Sequence, residues 1–396
     1  MPPHDALVAI ARSHLPAFRD AAPYWDRERR YCHENVDRLA RSGLMGMTIP
    51  LALGGRGASL ATAARIVEEV ATACTLTARV VVEANMGALT AVMTYGTDEQ
   101  KWFCAPIVLA GDKPAILITE PDAGSDATAM RTTATPVNGG WRLDGEKHWI
   151  TGGGVSKLHL VFAQMLDEGG DRSGIGGFIV HRDPERGIEP EGFAVKGLER
   201  TLGLCGMPEA RIAIDGVFVP DAMRLRTPGP PGKGFAKLMA AYNAQRIGAG
   251  AAALGTAVGA LDRAKDYLKE RHQFGRPIAE FQGLQWMVAD MDTRLHAARL
   301  MLQEAARSAD PLPDPVMTAR AKLFATETAV TAVNDCLQLM GARGYGAQEP
   351  IERMLRDVRM FTIGGGTAQV LRNQIAAHAL GLKLPQTRGA APAMSA

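Results

Sequence analysis

Apolar positions recur at helical spacing towards both ends of this 396-residue chain and at strand spacing in its middle. Up to about Asp112 the pattern is helical: 60–73 and 78–95 are rich in Ala, Val, Leu and Met, and Gly54-Gly55-Arg56-Gly57 punctuates the run as a loop. From about Lys113 to Pro220 the period shortens to two. Asn138-Gly139-Gly140 and Asp144-Gly145 read as hairpin turns around the alternating Trp141-Arg142-Leu143, with further strands at 158–162, 178–180 and 212–214. Thr227-Pro228-Gly229-Pro230-Pro231-Gly232 is a linker, after which helices resume. Leu254, Val258, Leu261 and Leu268 form one stripe; Leu284, Val288, Met291, Leu295 and Leu302 form another, and Asp310-Pro311-Leu312-Pro313 is the loop between helices. The expected fold is α+β, mainly α: a helical domain over 1–112, a β domain over 113–226, a helical bundle over 227–382 and a tail over 383–396.

Composition narrows the class. A chain with 46% hydrophobic and 22% charged residues has room for two or three cored domains. Its net charge of +2 makes no electrostatic case for a nucleic-acid or membrane partner. Cys32, Cys74, Cys104, Cys205 and Cys336 are scattered, which suggests reduced, packed thiols; neither a disulfide framework nor a metal site is expected. The first thirty residues carry acidic side chains and no long apolar core, and no later run reads as long and apolar enough to span a bilayer. A soluble, cytoplasmic protein is expected.

The chemistry lies in short motifs. Ile118-Thr119-Glu120-Pro121-Asp122-Ala123-Gly124-Ser125-Asp126 joins a strand to a glycine-containing turn whose N–H groups can face an anion, although alone it reads as an ordinary surface turn. With Trp149-Ile150-Thr151, Arg271-His272-Gln273-Phe274-Gly275 and Gln338-Leu339-Met340-Gly341-Ala342-Arg343-Gly344-Tyr345-Gly346, it occurs in the order and approximate spacing of the acyl-CoA dehydrogenase family. The resemblance runs from Gly43 to Asn373. It implies an N-terminal helical domain, a barrel-like middle β domain, a C-terminal four-helix bundle, bound FAD and a homotetramer. By motif, Ile116, Leu117, Ile118, Thr119, Gly124, Ser125, Trp149, Ile150 and Thr151 would line the flavin ring and its ribityl arm. Arg271, Phe274, Gln282, Gln338 and Gly341 would reach the adenine side from a neighbouring subunit, and Thr367 and Gln369 would close the site. For each residue the plainer alternative is packing or a solvated surface charge.

Two departures from the family pattern change the expected reaction. Thr362-Ile363-Gly364-Gly365-Gly366-Thr367-Ala368-Gln369 resembles the family's active-site segment, with Gly365 where a Glu would take the proton alpha to the thioester. The other position at which family members carry this Glu, just before the Arg of Tyr242-Asn243-Ala244-Gln245-Arg246 at the opening of the long C-terminal helix, holds Gln245. A neutral amide orients a water or a thioester oxygen but is no base at ordinary pH. Arg246 matches a CoA-contacting Arg, and Asn243 replaces an Asp near the CoA. The second departure is Arg79, set in the apolar stretch 76–86. A buried guanidinium needs an anion, and two readings stay open: an internal pair with Glu83 four residues on, or a grip on an acidic substrate tail.

Together these departures resemble one branch of the family, the 3-sulfinopropionyl-CoA desulfinases, as do Gly152-Gly153-Gly154-Val155-Ser156-Lys157-Leu158-His159-Leu160, the stretch 281–291 and Lys383-Leu384-Pro385-Gln386-Thr387-Arg388. The resemblance implies hydrolytic release of sulfite to leave propionyl-CoA, without net redox change of FAD. Arg79 and Gln245 would be catalytic, and Arg79, Ser125, Asn243, Gln245 and Arg246 would hold the acid-tailed acyl-CoA. No electron-transferring flavoprotein is then expected as a partner. The alternatives are an FAD-dependent dehydrogenase for a short dicarboxylic acyl-CoA, with a base such as Glu83, and a catalytically silent flavin- and CoA-binding protein.

Overall fold

The computed structural model describes residues 4–229 and 231–382, so the tail over 383–396 and its motif lie outside the described residues. Helices α1 (His4–Glu28), α2 (His33–Arg41), α3 (Leu60–Ala71), α4 (Thr75–Met86), α5 (Ala88–Tyr95) and α6 (Asp98–Leu109) come first. The strands follow: β1 (Ala115–Leu117), β2 (Thr133–Val137), β3 (Gly140–Thr151), β4 (Leu158–Leu166), β5 (Arg172–His181), β6 (Phe193–Leu198), β7 (Glu209–Pro220) and β8 (Arg224–Leu225). They form one mixed sheet in the order β6-β7-β3-β2-β4-β5-β8, with β1 parallel to β4. The chain then forms α7 (Gly234–Glu270), a hairpin of β9 (His272–Gln273) and β10 (Arg276–Pro277), α8 (Gln282–Arg307), α9 (Pro315–Met340), α10 (Ala342–Tyr345), α11 (Pro350–Val358) and α12 (Ala368–Leu380). The helix, sheet, helix order expected from periodicity is present.

One core joins the two helical regions. A Cβ on Gly248 would lie 2.6 Å from Met86 Sδ, one on Gly255 2.1 Å from the Glu68 carbonyl, and one on Gly259 2.4 Å from the Thr72 carbonyl. These glycines recur at helical spacing, so α7 presents a side-chain-free stripe against which the backbone of α3 and its C-terminal cap, and the side chains of Val82 and Met86 on α4, pack closely. That contact fixes Arg79 and Glu83 of α4 against Gln245 of α7. A smaller core inside the sheet contains Leu117, Leu143, Ile150, Phe178 and Ile212.

Four expectations are corrected. The apolar run over 78–95 is two helices, because the backbone turns at Gly87 with φ −86° and ψ −123°. Asn138-Gly139 does close the β2–β3 hairpin, but Asp144-Gly145 lies inside β3 as a bulge. A Cβ on Gly145 would meet Thr132 Oγ at 2.5 Å, so the glycine there reflects close approach rather than a turn. Tyr242 to Arg246 does not open α7, which begins a little over two turns earlier at Gly234. One run is long and apolar enough to cross a bilayer: a window within Thr75–Tyr95 reaches mean hydropathy 1.2, but 89% of it is buried in the protein core.

Candidate active site

Arg79 and Glu83 share one face of α4 at i,i+4 spacing, and both are buried. Arg79 Nη2 lies 2.6 Å from Glu83 Oε1, and Gln245 Nε2 donates to the same oxygen at 2.9 Å. The internal pair is therefore present, yet it does not exhaust the arginine. Arg79 Nε and Gln245 Oε1 are both buried without a hydrogen-bond partner among the described residues. Leaving such a group unsatisfied costs about 1–3 kcal/mol, so one spare donor and one spare acceptor beside a carboxylate mark a place where a polar ligand is to be met.

Around this trio the buried charges are mostly positive. Lys113 and Lys322 are almost wholly enclosed, and Arg246 is buried. Burial holds the Lys113 ammonium below its usual range, opposed by the Glu83 charge. The Glu209 carboxyl is pushed up to about 7 by burial, opposed by Arg79 and by Thr151, whose hydroxyl donates to it at 2.9 Å. The Tyr242 hydroxyl is raised by burial while Arg79 pulls it down. Arg79, Lys113, Arg246 and Lys322 thus face three carboxylates, Glu83, Glu209 and Asp112, and the two guanidinium groups are the cations that stay charged for an anionic ligand.

The glycine segment is shaped by two of these cations. Lys322 Nζ donates to the Gly364 and Gly366 carbonyls at 2.8 and 2.7 Å, and Arg246 Nε donates to the Gly365 carbonyl at 2.9 Å. Gly365 and Gly366 have φ of +73° and +91°. Within a peptide plane the C=O and the following N–H point in opposite directions, so anchoring three carbonyls turns the N–H groups of Gly365, Gly366 and Thr367 away from the clamp. Arg246 also donates to Asn243 Oδ1 at 2.8 Å, so both expected CoA contacts are tied into this frame.

Burial, with the charges of Arg246 and Arg79, pushes Lys322 down to about 7. Lys322→Met is expected to strand two carbonyls and to cost about 2–4 kcal/mol in chemical denaturation. Between pH 7 and about 10.4 the unfolded lysine binds a proton that the folded one has lost, so wild-type stability should rise with pH relative to the variant. A flat difference across that window would contradict the assignment.

The expected cofactor residues fall into two groups. In the first, Thr119, Gly124, Ser125, Trp149 and Thr151 lie on or beside β1, β3 and the turn after β1, while Leu117 and Ile150 turn their side chains into the sheet core. The turn is anchored by Glu120, which takes the Lys147 ammonium at 2.8 Å and the Thr132 amide at 3.0 Å. Trp149 has φ +58° and is 53% exposed, an aromatic face held outside the core. These residues fit a flat aromatic cofactor ring. In the second group, Arg271, Phe274, Gln282, Gln338 and Gly341 gather at the far end of the bundle, where α7 and α9 end and α8 begins. Phe274 is 92% exposed. Arg271 lies 25 residues beyond Arg246 along α7, about 37 Å at the helical rise, which puts the second group far from Gln245 and its partners Arg79 and Glu83.

Three family models match in succession: the N-terminal domain of acyl-CoA dehydrogenases over residues 4–112, the middle domain over 115–217 and the C-terminal domain over 232–380. The chain belongs to the acyl-CoA dehydrogenase family. It is 53% identical, over 94% of its length and 92% of the relative's, to a 3-sulfinopropanoyl-CoA desulfinase of Variovorax paradoxus. It is 52% identical to one of Cupriavidus necator over 94% and 93% of the two chains. Among solved structures, butyryl-CoA dehydrogenase from Megasphaera elsdenii superposes with a TM-score of 0.89 at 28% identity, covering 96% of this chain and 98% of that one.

Lys113, Glu209, Lys322 and Gly87 were absent from the sequence-derived site. Lys322 carried a signal: it falls on the buried α9 stripe of Thr318, Ala325 and Ala329, where a lysine is out of place.

Proposed function

We propose that this protein is a 3-sulfinopropionyl-CoA desulfinase: it adds water to its substrate, releases sulfite and leaves propionyl-CoA. The observation that carries the reading is the Arg79–Glu83–Gln245 cluster with its unfilled donor and acceptor, in a family member whose two positions for an alpha-proton base hold Gly365 and Gln245. Relatives of more than 50% identity named as desulfinases support it.

Arg79 keeps Glu83 on one terminal nitrogen and turns its remaining donors to the sulfinate oxygens, where a planar fork suits a two-oxygen acid. Gln245 is held by Glu83 and presents its carbonyl to a water. The N–H groups of the glycine segment, set by Lys322 and Arg246, polarise the thioester oxygen. Trp149 and Thr151 would hold the ring of FAD, which when bound would supply a flat wall and no electrons to the net reaction. Its adenine end would reach the Arg271 and Phe274 end of a second copy, which makes the site complete only in an oligomer, a homotetramer by the family resemblance. No electron-transferring flavoprotein is then needed.

Purified protein should carry oxidised FAD and, given 3-sulfinopropionyl-CoA, should release sulfite and propionyl-CoA one for one. Protein that cannot be loaded with FAD, or loaded protein that forms neither product, would sink this reading.

A further inference from the structure

We propose that Glu83 is the proton shuttle of the desulfination, taking a proton from the attacking water and returning it to the carbon that loses sulfur. The inference rests on the desulfinase reading and adds the residue that moves the proton.

The two oxygens of Glu83 are used differently. Oε1 is occupied by Arg79 Nη2 and Gln245 Nε2. Oε2 accepts no hydrogen bond among the described residues, and it faces Gly87, where the helix breaks. A Cβ on Gly87 would stand 3.1 Å from Glu83 Oε2 and 3.3 Å from Gln245 Oε1, so two acceptor oxygens lie side by side next to the glycine, and Gln245 Oε1 is shut off from bulk solvent. A water donating to both would have its protons engaged and its lone pairs free. Arg79 Nε, the buried donor without a partner, belongs to the same cluster and suits a sulfinate oxygen.

Other titratable groups near Glu83 are less suited. The oxygens of Glu209 both accept from the Thr151 hydroxyl, at 2.9 and 3.0 Å. Lys113 points its Nζ at the Thr151 carbonyl. Tyr31 and Tyr242 are phenols that burial holds in their protonated form. Among the described titratable groups, Glu83 is the one bonded to both Arg79 and Gln245.

The step balances without an outside carrier. The water oxygen bonds to sulfur as one of its protons passes to Glu83 Oε2. The carbon–sulfur bond breaks with its electron pair going to carbon, and that carbon takes the proton back from Glu83. Sulfur is oxidised by two electrons and carbon reduced by the same two; hydrogen sulfite leaves, propionyl-CoA remains and Glu83 returns to its starting state. Proton transfer by a positioned side chain is worth about 10²–10⁴-fold.

The test uses FAD-loaded protein. Glu83→Gln should lose about 10²–10⁴-fold in kcat for sulfite release, with its dissociation constant for succinyl-CoA, an acid-tailed thioester with no sulfur to lose, within about threefold of wild type. Formate added to Glu83→Ala should restore sulfite release at least about tenfold, and the rescued rate should fall in D2O, as proton transfer by the added carboxylate requires and a merely restored ion pair with Arg79 does not. A Glu83→Gln protein with kcat near wild type would overturn the proposal. So would parallel loss of succinyl-CoA affinity and turnover in Glu83→Gln, or a Glu83→Ala protein that binds succinyl-CoA yet stays inactive with formate. Absence of sulfite release from the wild type would instead remove the desulfinase reading itself.

Discussion

Arg79→Ala is expected to reduce sulfite release by about two to four orders of magnitude, the effect of about 3–5 kcal/mol when a buried charged group loses its partner. The loss should appear in both KM and kcat, because Arg79 would bind the sulfinate in the ground state and hold the charge that departs. Arg79→Lys keeps a charge but not the planar fork and should remain severely impaired. Because Arg79 Nη2 also holds Glu83 at 2.6 Å, the alanine variant should melt earlier as well. Turnover per folded, FAD-loaded molecule separates the two effects. A purely structural arginine would lower the melting temperature and leave the surviving molecules fully active.

The second large effect is an absence. Butyryl-CoA should reduce the flavin about 10²–10⁴-fold more slowly than in a family member with a base, because neither Gly365 nor Gln245 can take the alpha proton. Installing a carboxylate at the two sites should differ in outcome. Gly365 has φ +73°, where an L side chain costs about 1–2 kcal/mol, so Gly365→Glu is expected to disturb the clamp made by Lys322 and Arg246. Gln245→Glu sits on a regular helix and is the cleaner variant. It would place a second carboxylate where Gln245 Nε2 now donates to Glu83 at 2.9 Å, and the two would share one proton. Measurable anaerobic bleaching by butyryl-CoA in Gln245→Glu, at some cost in stability, is expected. Fast bleaching in the unaltered protein would refute the missing base.

The parts of this site that were legible in the sequence are those encoded by local spacing. Arg79 and Glu83 stand four apart in an apolar run, which is enough to pair them on a helix; their meeting with Gln245, 162 residues further on, is a tertiary fact. The spacing left the pair and the substrate grip as rivals, and the side chain has donors for both: Nη2 meets Glu83, while Nε is buried without a partner. Gly87 was hidden because one glycine in an apolar stretch reads as a tolerated helix residue, and only the packing of α4 and α5 shows the break. Asp144-Gly145 misled in the opposite direction: it carries a turn signature, but the approach of Thr132 makes it a bulge within a twelve-residue strand. Lys322 shows in the sequence only as a lysine misplaced on the apolar stripe of α9; what it binds stays hidden there, because its partners are backbone carbonyls. The residues proposed to hold the cofactor are marked in the sequence by motif alone, and local spacing gives no account of them.

The most direct measurement follows both chemistries in one cuvette: FAD-loaded protein under anaerobic conditions with 3-sulfinopropionyl-CoA, recording sulfite and the flavin absorbance together. Catalytic sulfite release with the oxidised flavin spectrum unchanged is the result this account predicts. Bleaching of the flavin without sulfite would contradict it and identify a dehydrogenase.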